Sequence, residues 1–251
     1  MISEKIIQEF KPVSLEEMDQ LALMNRTDTK YFFHESKLDE ILVSVMNNYK
    51  ILEINSCRIM PYSSLYFDTP DFNLYLWHHN GRANRYKVRL RDYLISDKSF
   101  FEIKHKTNHD RTKKKRIEVP FKNGEIAVDA KKLLHKYPAI SEMVLVPKLT
   151  NKFHRITLAG FKSQERVTID TNLTFLSDGK EITFHGIVIA EIKKSGGIGD
   201  SPFAQALRKA WIFPGGFSKY CIGVASLYSN IKYNNFKPKI HQIKKILNEH
   251  T

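Results

Sequence analysis

The stretch Arg85-Tyr86-Lys87-Val88-Arg89-Leu90-Arg91 alternates basic and apolar residues without a break. Successive side chains of a β-strand point to opposite faces of the sheet. A strand here carries Arg85, Lys87, Arg89 and Arg91 on one face and apolar side chains on the other. The stretch therefore predicts a strand with one strongly basic face and one buried face.

The same alternation recurs in later segments of the chain. The polar residues that share one face of their predicted strand are Glu102, Lys104 and Lys106; Lys114, Arg116 and Glu118; Arg166, Thr168 and Asp170; and Glu191 and Lys193. Strand-like segments are predicted at residues 28–33, 63–68, 85–93, 100–106, 112–119, 152–158, 166–170 and 187–193. Because strands dominate and helices are few, we predict the α+β class with a mainly antiparallel sheet.

Helices are predicted from capping signals and apolar periodicity. Ser14 with Glu17, and Ser36 with Asp39, each match a capping box that opens a helix. Further helices are predicted at residues 129–137, 201–209, 218–233 and 239–250. We expect one domain over residues 1–251, with a helical region at 1–25, a core at about 26–228 and a C-terminal helix at about 239–250.

Cations on consecutive strands allow two interpretations. An antiparallel sheet with one solvated face explains any single strand. A solvated face explains the cations on several consecutive strands less well, because like charges directly opposite one another weaken strand pairing. Two such charges roughly 4 Å apart repel by about 4 kcal/mol at an effective dielectric constant of about 20. A closed barrel whose interior binds an anion accommodates the cations better, and we favour this interpretation.

Composition limits the classes of function. The 251 residues include 42% hydrophobic residues, which indicates a globular protein. The formal net charge of +13 points to a polyanionic partner, which charge alone leaves open as nucleic acid, an acidic membrane surface or phosphates. The two cysteines, Cys57 and Cys221, form no CxxC motif, and we expect free thiols. The sequence shows neither a signal peptide nor an apolar run long enough to cross a bilayer, so we expect a cytoplasmic protein without a membrane span.

Six short strings occur in an order typical of one family. They are Arg26-Thr27-Asp28-Thr29-Lys30-Tyr31, Ser64-Leu65-Tyr66-Phe67-Asp68-Thr69-Pro70, His79-Asn80-Gly81-Arg82, the Arg85–Arg91 stretch, Phe101-Glu102-Ile103-Lys104 and Phe217-Ser218-Lys219-Tyr220. Together they resemble the VTC domain, the catalytic module of the vacuolar transporter chaperone polyphosphate polymerase. This domain belongs to the CYTH-like triphosphate tunnel superfamily. The resemblance extends over most of the chain.

The resemblance implies a fold and an activity. The fold would be a closed antiparallel β-tunnel with helices packed outside. The activity would be transfer of the γ-phosphoryl group of ATP to a polyphosphate chain, with Mn²⁺ or Mg²⁺. ATP and polyphosphate would then be the partners, without nucleic acid.

The resemblance also implies roles for individual residues. The catalytic residues would be Lys30, Arg89, Arg91, Lys104 and Lys219. The substrate-binding residues would be Lys114, Arg116, Phe153, Arg155, Arg166 and Ser218, and Glu191 would be the metal ligand. Ser218 and Lys219 would start a helix, where free amide groups favour anions.

Two residues depart from the family pattern. Phe153 stands where the family has a tyrosine, which removes a hydroxyl group, and Gly216 stands where the family has a lysine. We also see neither the membrane segment nor the SPX module of the eukaryotic polymerase, so export of the product is not expected. Phosphoryl transfer depends mainly on positioning and charge neutralisation, so a triphosphatase or a non-catalytic polyphosphate-binding module remains an alternative.

Other motifs carry less weight. His78 and His79 would point to opposite faces of a strand, which disfavours a shared metal. Gly196-Gly197-Ile198-Gly199 lacks the Lys-Ser/Thr ending of a P-loop and is better explained as a flexible connection. The run Lys113-Lys114-Lys115-Arg116 splits between two strand faces, and Trp77 and Trp211 are expected as core or edge aromatics. Nucleic-acid binding would rest on net charge alone.

Overall fold

The alternating stretch forms a strand with the predicted bounds, Arg85–Tyr93. The computed structural model describes residues 3–19, 21, 26–109, 111–121 and 124–248. Tyr86, Val88 and Leu90 of this strand are buried in an apolar core. The basic residues between them share the opposite face of the sheet, as the alternation requires.

One curled sheet dominates the fold. Its strands are β1 (Pro12–Val13), β2 (Arg26–His34), β3 (Lys50–Leu52), β4 (Met60–Asp68), β5 (Arg85–Tyr93), β6 (Lys98–Lys106), β7 (Thr112–Val119), β8 (Val146–Gly160), β9 (Glu165–Ser177), β10 (Lys180–Phe184) and β11 (Ile187–Ser195). The main path runs β2-β11-β9-β8-β4-β5-β6-β7. Every neighbouring pair on this path is antiparallel. The antiparallel sheet predicted from the sequence is confirmed.

Helices lie between the strands. They are α1 (Glu4–Glu9), α2 (Leu15–Asp19), α3 (Leu38–Val45), α4 (Asn73–His79), α5 (Val128–Leu134), α6 (Pro138–Ser141), α7 (Pro202–Lys209), α8 (Lys219–Leu227) and α9 (Lys237–Asn248). The capping box of α2 is formed, since Ser14 N donates to Glu17 Oε2 at 2.9 Å and Glu17 N donates to Ser14 Oγ at 3.1 Å. No helix among the described residues is long and apolar enough to cross a membrane.

The sheet curls into an open half-barrel. Lys30 on β2 lies close enough to Lys104 on β6 to lower its pKa, although five strands separate β2 from β6 along the path. The described residues of β2 and β7, the two ends of the path, do not pair with each other. The structure thus gives a curled α+β half-barrel with a concave face, and closure of the predicted tunnel is not confirmed.

The convex face carries two apolar cores. In one, Val188, Ile169 and Leu158 of the sheet pack against α3 and α7. In the other, Val88 and Phe101 pack with side chains of α5 and α6. These four helices lie outside the curl, as the predicted tunnel fold requires.

Helices α8 and α9 instead cover one end of the concave face. Lys239 of α9 lies 4.3 Å from the ring centroid of Phe32, which shares its strand face with Lys30. Gly223 of α8 packs so closely that an added Cβ would lie 2.5 Å from Phe175 and 2.6 Å from Leu149. The prediction that all helices pack outside is therefore wrong for these two. The apolar side chains of α8 and α9 fill one end of the concave face, and the other end remains polar.

Several local predictions are wrong for identifiable reasons. His78 and His79 end helix α4 and are not in a strand, because Asp68 organises that helix by accepting bonds from Leu74 N and Tyr75 N. The helix predicted at residues 129–137 ends earlier, at Leu134, and Pro138 begins a separate short helix, α6, which suits a proline in a first turn. Trp211 is 82% exposed, so it is not a core aromatic.

Candidate functional site

A row of lysines crosses the concave face. Lys87 on β5 lies directly opposite Lys104 on β6, and Lys104 lies directly opposite Lys114 on β7. Among the described residues, no carboxylate is within ion-pair distance of Lys87 or Lys104. The row places like charges in the arrangement that weakens strand pairing, so it is suited to an anion.

Glu102 organises the cations beside this row. Its buried carboxylate accepts from Arg89 Nε at 2.7 Å and also pairs with Lys114. Arg89 Nη1 donates to Tyr66 Oη at 3.2 Å. Although burial opposes ionisation, the cations around it hold the pKa of Glu102 well below its usual range. Glu102 therefore fixes Arg89 as a charged group that faces the concave surface.

A second carboxylate, Asp170 on β9, binds two further cations. Arg155 Nε donates to Asp170 Oδ1 at 2.5 Å, and Arg155 Nη2 donates to Oδ2 at 2.8 Å. Lys219 Nζ, at the start of α8, also donates to Asp170 Oδ2. The ring of Phe153 lies under both cations, 3.8 Å from Lys219 Nζ and 5.2 Å from the Arg155 guanidinium carbon. This cluster joins the sheet to the helix.

Glu191 on β11 forms the third cluster. It pairs with Lys30 and, through Oε2, with Lys193 Nζ at 2.7 Å. Lys193 Nζ also lies 2.9 Å from Asp28 Oδ2, so one ammonium group bridges two carboxylates. Among the described residues, no group of three His, Cys, Asp or Glu could hold a metal ion. Asp28 and Glu191 would together offer two carboxylates, the kind of ligand that a hard cation such as Mn²⁺ or Mg²⁺ takes alongside phosphate oxygens.

The N-terminus of α8 lies beside the lysine row. Ser218 caps the helix, since its Oγ accepts from Cys221 N at 3.2 Å. The same Oγ accepts from Lys87 Nζ at 2.9 Å, and this bond joins the row to the helix start. Two independent elements, a strand and a helix terminus, thus bring anion-binding groups together.

Arg91 lies deeper in the concave face. It is 6% exposed, and its Nε donates to Ser64 Oγ at 3.2 Å. Its guanidinium carbon is 5.8 Å from the Tyr62 ring centroid and 5.7 Å from that of Phe153. No described carboxylate pairs with Arg91, so its charge is also available to a ligand.

The electrostatic environment shifts the pKa values of the lysines. Burial and neighbouring cations lower the pKa of Lys219 to about 7, although Asp170 acts in the opposite direction. Lys104 is exposed to solvent within the concave face, yet the surrounding protein and Lys30 still lower its pKa to about 8. Lys114 also has a pKa lowered to about 8, mainly through desolvation. A bound anion would favour the protonated form of each.

Two predicted residues lie at the margins. Arg166 lies beyond Thr168 on β9, opposite Lys193, and its Nε has no hydrogen-bond partner among the described residues. Arg116 on β7 is exposed, with its guanidinium carbon 4.6 Å from the Phe100 ring centroid. The structure brings the other predicted residues together, namely Lys30, Arg89, Arg91, Lys104, Lys114, Phe153, Arg155, Glu191, Ser218 and Lys219.

Sequence reasoning missed three members of this surface as site residues, namely Lys87, Asp28 and Asp170. Lys87 shares the alternating face of Arg85, Arg89 and Arg91, so the signal was present in the sequence. Asp170 also lies in a set of polar residues on one strand face. Its pairing with Lys219, however, depends on where α8 packs, and alternation gives no information on that.

The comparison with known families is decisive. The sequence profile of the VTC domain matches residues 25–228, which is most of the chain. The chain belongs to the VTC domain family. No curated protein matches the sequence at a significant level. The family assignment therefore rests on the profile, and the resemblance drawn from the six strings is confirmed.

A solved structure shares the fold of this VTC domain protein. HpAC1 from Hippeastrum, a candidate adenylyl cyclase with a dominant triphosphatase activity, superposes with a TM-score of 0.52 at 12% identity, over 82% of this chain and 98% of that chain. The PH1819 protein from Pyrococcus horikoshii OT3 is also similar, with a TM-score of 0.44, 13% identity and coverage of 80% of this chain and 99% of that chain. At 12% identity, the likeness to HpAC1 shows the fold alone.

Proposed function

We propose that the protein is a polyphosphate polymerase that transfers the γ-phosphoryl group of ATP to the end of a polyphosphate chain. The new P–O bond forms to a terminal oxygen of the chain, and the bond to the bridging oxygen breaks as ADP leaves. A terminal phosphate oxygen is already anionic, so the acceptor needs no general base. Membership of the VTC domain family supports this choice of reaction.

The observation that carries the proposal is the lysine row Lys87–Lys104–Lys114, which faces the N-terminus of α8. Two ammonium groups about 5 Å apart repel by about 3 kcal/mol at an effective dielectric constant of about 20. A phosphate chain along the row would remove this repulsion and would accept hydrogen bonds from Ser218 and the α8 amide groups. A solvated sheet face has no need of such an arrangement.

The residues of the site would act by binding and orientation. Arg89 and Arg91 would bind phosphate oxygens, Arg89 being held in place by Glu102 and Tyr66. Lys30 and Lys219 approach from β2 and from α8 and would neutralise charge on the transferred group. Asp28 and Glu191 would hold Mn²⁺ or Mg²⁺, which would supply further charge neutralisation when bound.

We also propose that the substrate closes the half-barrel into a tunnel. Lys30 lies on the strand at one end of the sheet path and Lys114 on the strand at the other. A polyanion that contacts both would connect the two sheet edges. Small-angle scattering with and without tripolyphosphate checks this proposal, and a smaller radius of gyration with the ligand is expected.

A triphosphatase is the second candidate, and it would use the same cations to orient a water molecule. A non-catalytic polyphosphate-binding module is the third candidate. The absence of a hydroxyl group at residue 153 and of a cation at residue 216 favours this module, because the family pattern has both groups.

One product analysis separates the three. The purified protein is incubated with ATP labelled at the γ-phosphate and Mn²⁺. Long labelled polyphosphate with ADP is the result expected. Labelled inorganic phosphate alone would assign a triphosphatase, and binding without turnover would assign a binding module.

A further inference from the structure

We infer that Asp170 is a resident counter-ion that competes with the phosphate chain for Arg155 and Lys219 and so weakens binding enough for the product to leave. This inference rests on the proposed function, since it concerns the same concave face. It assigns a role to a residue that belongs to no candidate set drawn from the sequence. The ligand class is a linear polyphosphate or the triphosphate of a nucleotide.

The contacts of Asp170 support this role. The side chain is 5% exposed, and both of its oxygens point to cations. Arg155 binds it with two nitrogen atoms, at 2.5 and 2.8 Å, and Lys219 binds it with its ammonium group. A phosphate group presents two oxygens to a guanidinium group in the same bidentate way as a carboxylate. Asp170 therefore accepts the hydrogen bonds of Arg155 and Lys219 in the way that a phosphate group would.

A second buried aspartate shows what a purely structural role looks like. Asp68 accepts hydrogen bonds from Thr69 N, Leu74 N and Tyr75 N at 2.7 to 2.8 Å, and from Tyr220 Oη at 2.5 Å. These neutral donors anchor α4 and α8 to the sheet. Within the described part of the chain, the hydrogen-bond donors to Asp170 are two charged side chains, Arg155 and Lys219, and both belong to the candidate phosphate-binding set.

The cations can keep their positions when a phosphate takes over. Phe153 lies under Lys219 Nζ at 3.8 Å, and both Phe153 and Tyr62 lie 5.2 Å from the Arg155 guanidinium carbon. Phe153 and Tyr62 are both buried and are stacked on each other with 6° between the ring planes, so they form one aromatic platform. Cation–π contacts of this kind stabilise the charges of Arg155 and Lys219 whichever anion, Asp170 or phosphate, is paired with them. The site is thus preformed, and Asp170 sets how strongly it attracts a ligand.

The same competition favours turnover. A phosphate chain that leaves the site exposes two buried cations, which is costly unless another anion pairs with them. Asp170 is attached to the strand and is always present to do this. Removing its charge should therefore tighten binding and slow product release together.

The test compares wild type with Asp170→Asn in metal-free titrations with tripolyphosphate by calorimetry. The dissociation constant of the variant should fall by about tenfold or more, on the scale of one lost charge contact. Equal or weaker binding by a folded variant would overturn the inference. Glu53→Gln is the matched control, because Glu53 pairs with Arg58 at 2.6 Å away from the concave face, and its affinity should equal that of wild type.

A second measurement needs no variant at Asp170. In wild type, the ¹⁵N resonance of Arg155 Nε, assigned by its loss in Arg155→Lys, should shift when tripolyphosphate is added. An unchanged resonance with bound ligand would contradict the inference and leave the proposed function intact. Failure of wild type to bind tripolyphosphate at all would instead reject the proposed function, and with it the role of Asp170.

Discussion

Lys87 on β5 lies directly opposite Lys104 on β6, on the concave face of the half-barrel. Lys87 Nζ donates to the hydroxyl group of Ser218, which caps α8, and pairs with no carboxylate among the described residues. The pair has a structural cost, because like charges in register weaken a sheet. An anion bound between the two lysines would offset this repulsion.

Replacing Lys87 tests this relationship. Lys87→Met should weaken tripolyphosphate binding by about 10-fold to 100-fold, the loss expected for one hydrogen bond to a charged group. The thermal midpoint of the free protein should stay equal or rise, because one repulsive charge is gone. Calorimetric titration and thermal unfolding measure the two effects.

The control for this variant lies on the neighbouring hairpin. Lys113 precedes Lys114 on β7, so its side chain points to the opposite face of the sheet, where it pairs in register with His105. Lys113→Met should leave tripolyphosphate affinity unchanged. Equal losses in Lys87→Met and Lys113→Met would indicate a nonspecific effect of net charge.

The pH dependence of binding follows from Lys219. Its pKa is lowered to about 7 by burial and by Arg155 and Arg91, with Asp170 opposing the shift. Lys219 is therefore charged below pH 7 and loses its charge as the pH rises above 7, when Lys104 and Lys114, with pKa values of about 8, also begin to lose theirs. A phosphate monoester is already mostly ionised above its second pKa of about 6, so the charge of the ligand changes little in this range. Tripolyphosphate affinity should therefore fall between pH 7 and 9, because the protein loses positive charge.

An arginine at position 219 separates this contribution from the others. Arg stays protonated throughout this range, so Lys219→Arg should show a smaller fall in affinity between pH 7 and 8. A wild-type affinity that is constant from pH 7 to 9 would contradict the prediction.

Glu191 is expected to matter for metal-dependent turnover and not for anion binding. Glu191→Gln should abolish turnover with Mn²⁺ or Mg²⁺, because Asp28 and Glu191 converge on the Lys193 ammonium group and are the two carboxylates that would hold the metal ion. Metal-free tripolyphosphate binding should be kept or strengthened, since Lys30 loses a competing carboxylate. Glu181→Gln, an exposed change on β10, is the control and should retain full turnover. Full turnover in Glu191→Gln would reject Glu191 as the metal ligand.

The close packing of α8 gives a prediction about stability. An added Cβ at Gly223 would lie 2.5 Å from Phe175 and 2.6 Å from Leu149. Gly223→Ala should therefore destabilise the protein by about 1–3 kcal/mol, despite the better helix propensity of alanine. Because Ser218 and Lys219 begin this helix, tripolyphosphate affinity should fall as well.

Gly216 supplies the matched control, since an added Cβ there meets nothing within 4 Å. Gly216→Ala should change stability by no more than about 0.5 kcal/mol. Chemical denaturation measures both variants. Equal stability of Gly223→Ala and wild type would mean that α8 does not pack against the concave face as described.

The sequence predicted the sheet well where alternation is strong. Strands β5 and β7 have the predicted bounds. On β5, basic and apolar residues alternate without a break from Arg85 to Arg91. Strand β8 extends to Val146, six residues before the predicted start at 152. A register shift between Lys152 and His154 in its pairing with β9 breaks the simple alternation there. The position of a bulge depends on the partner strand, which a single segment does not reveal.

The site was only partly predictable for a related reason. Alternation places Arg89, Lys104 and Lys114 on one face, and register then brings them together. The contact between Lys219 and Asp170 depends on α8 crossing the concave face, which apolar contacts with Leu149 and Phe175 determine. Such a contact between distant segments has no signature in local sequence. Closure of the curl also depends on whether the described edges β2 and β7 meet, which no strand pattern specifies.

A crystal structure of the protein with bound tripolyphosphate tests the central claim most directly. The account predicts phosphate oxygens about 3 Å from Lys87 Nζ and Lys104 Nζ, on the concave face beside Ser218. Phosphates bound instead on the convex face, for example at Lys113, with the lysine row free of ligand, would contradict it.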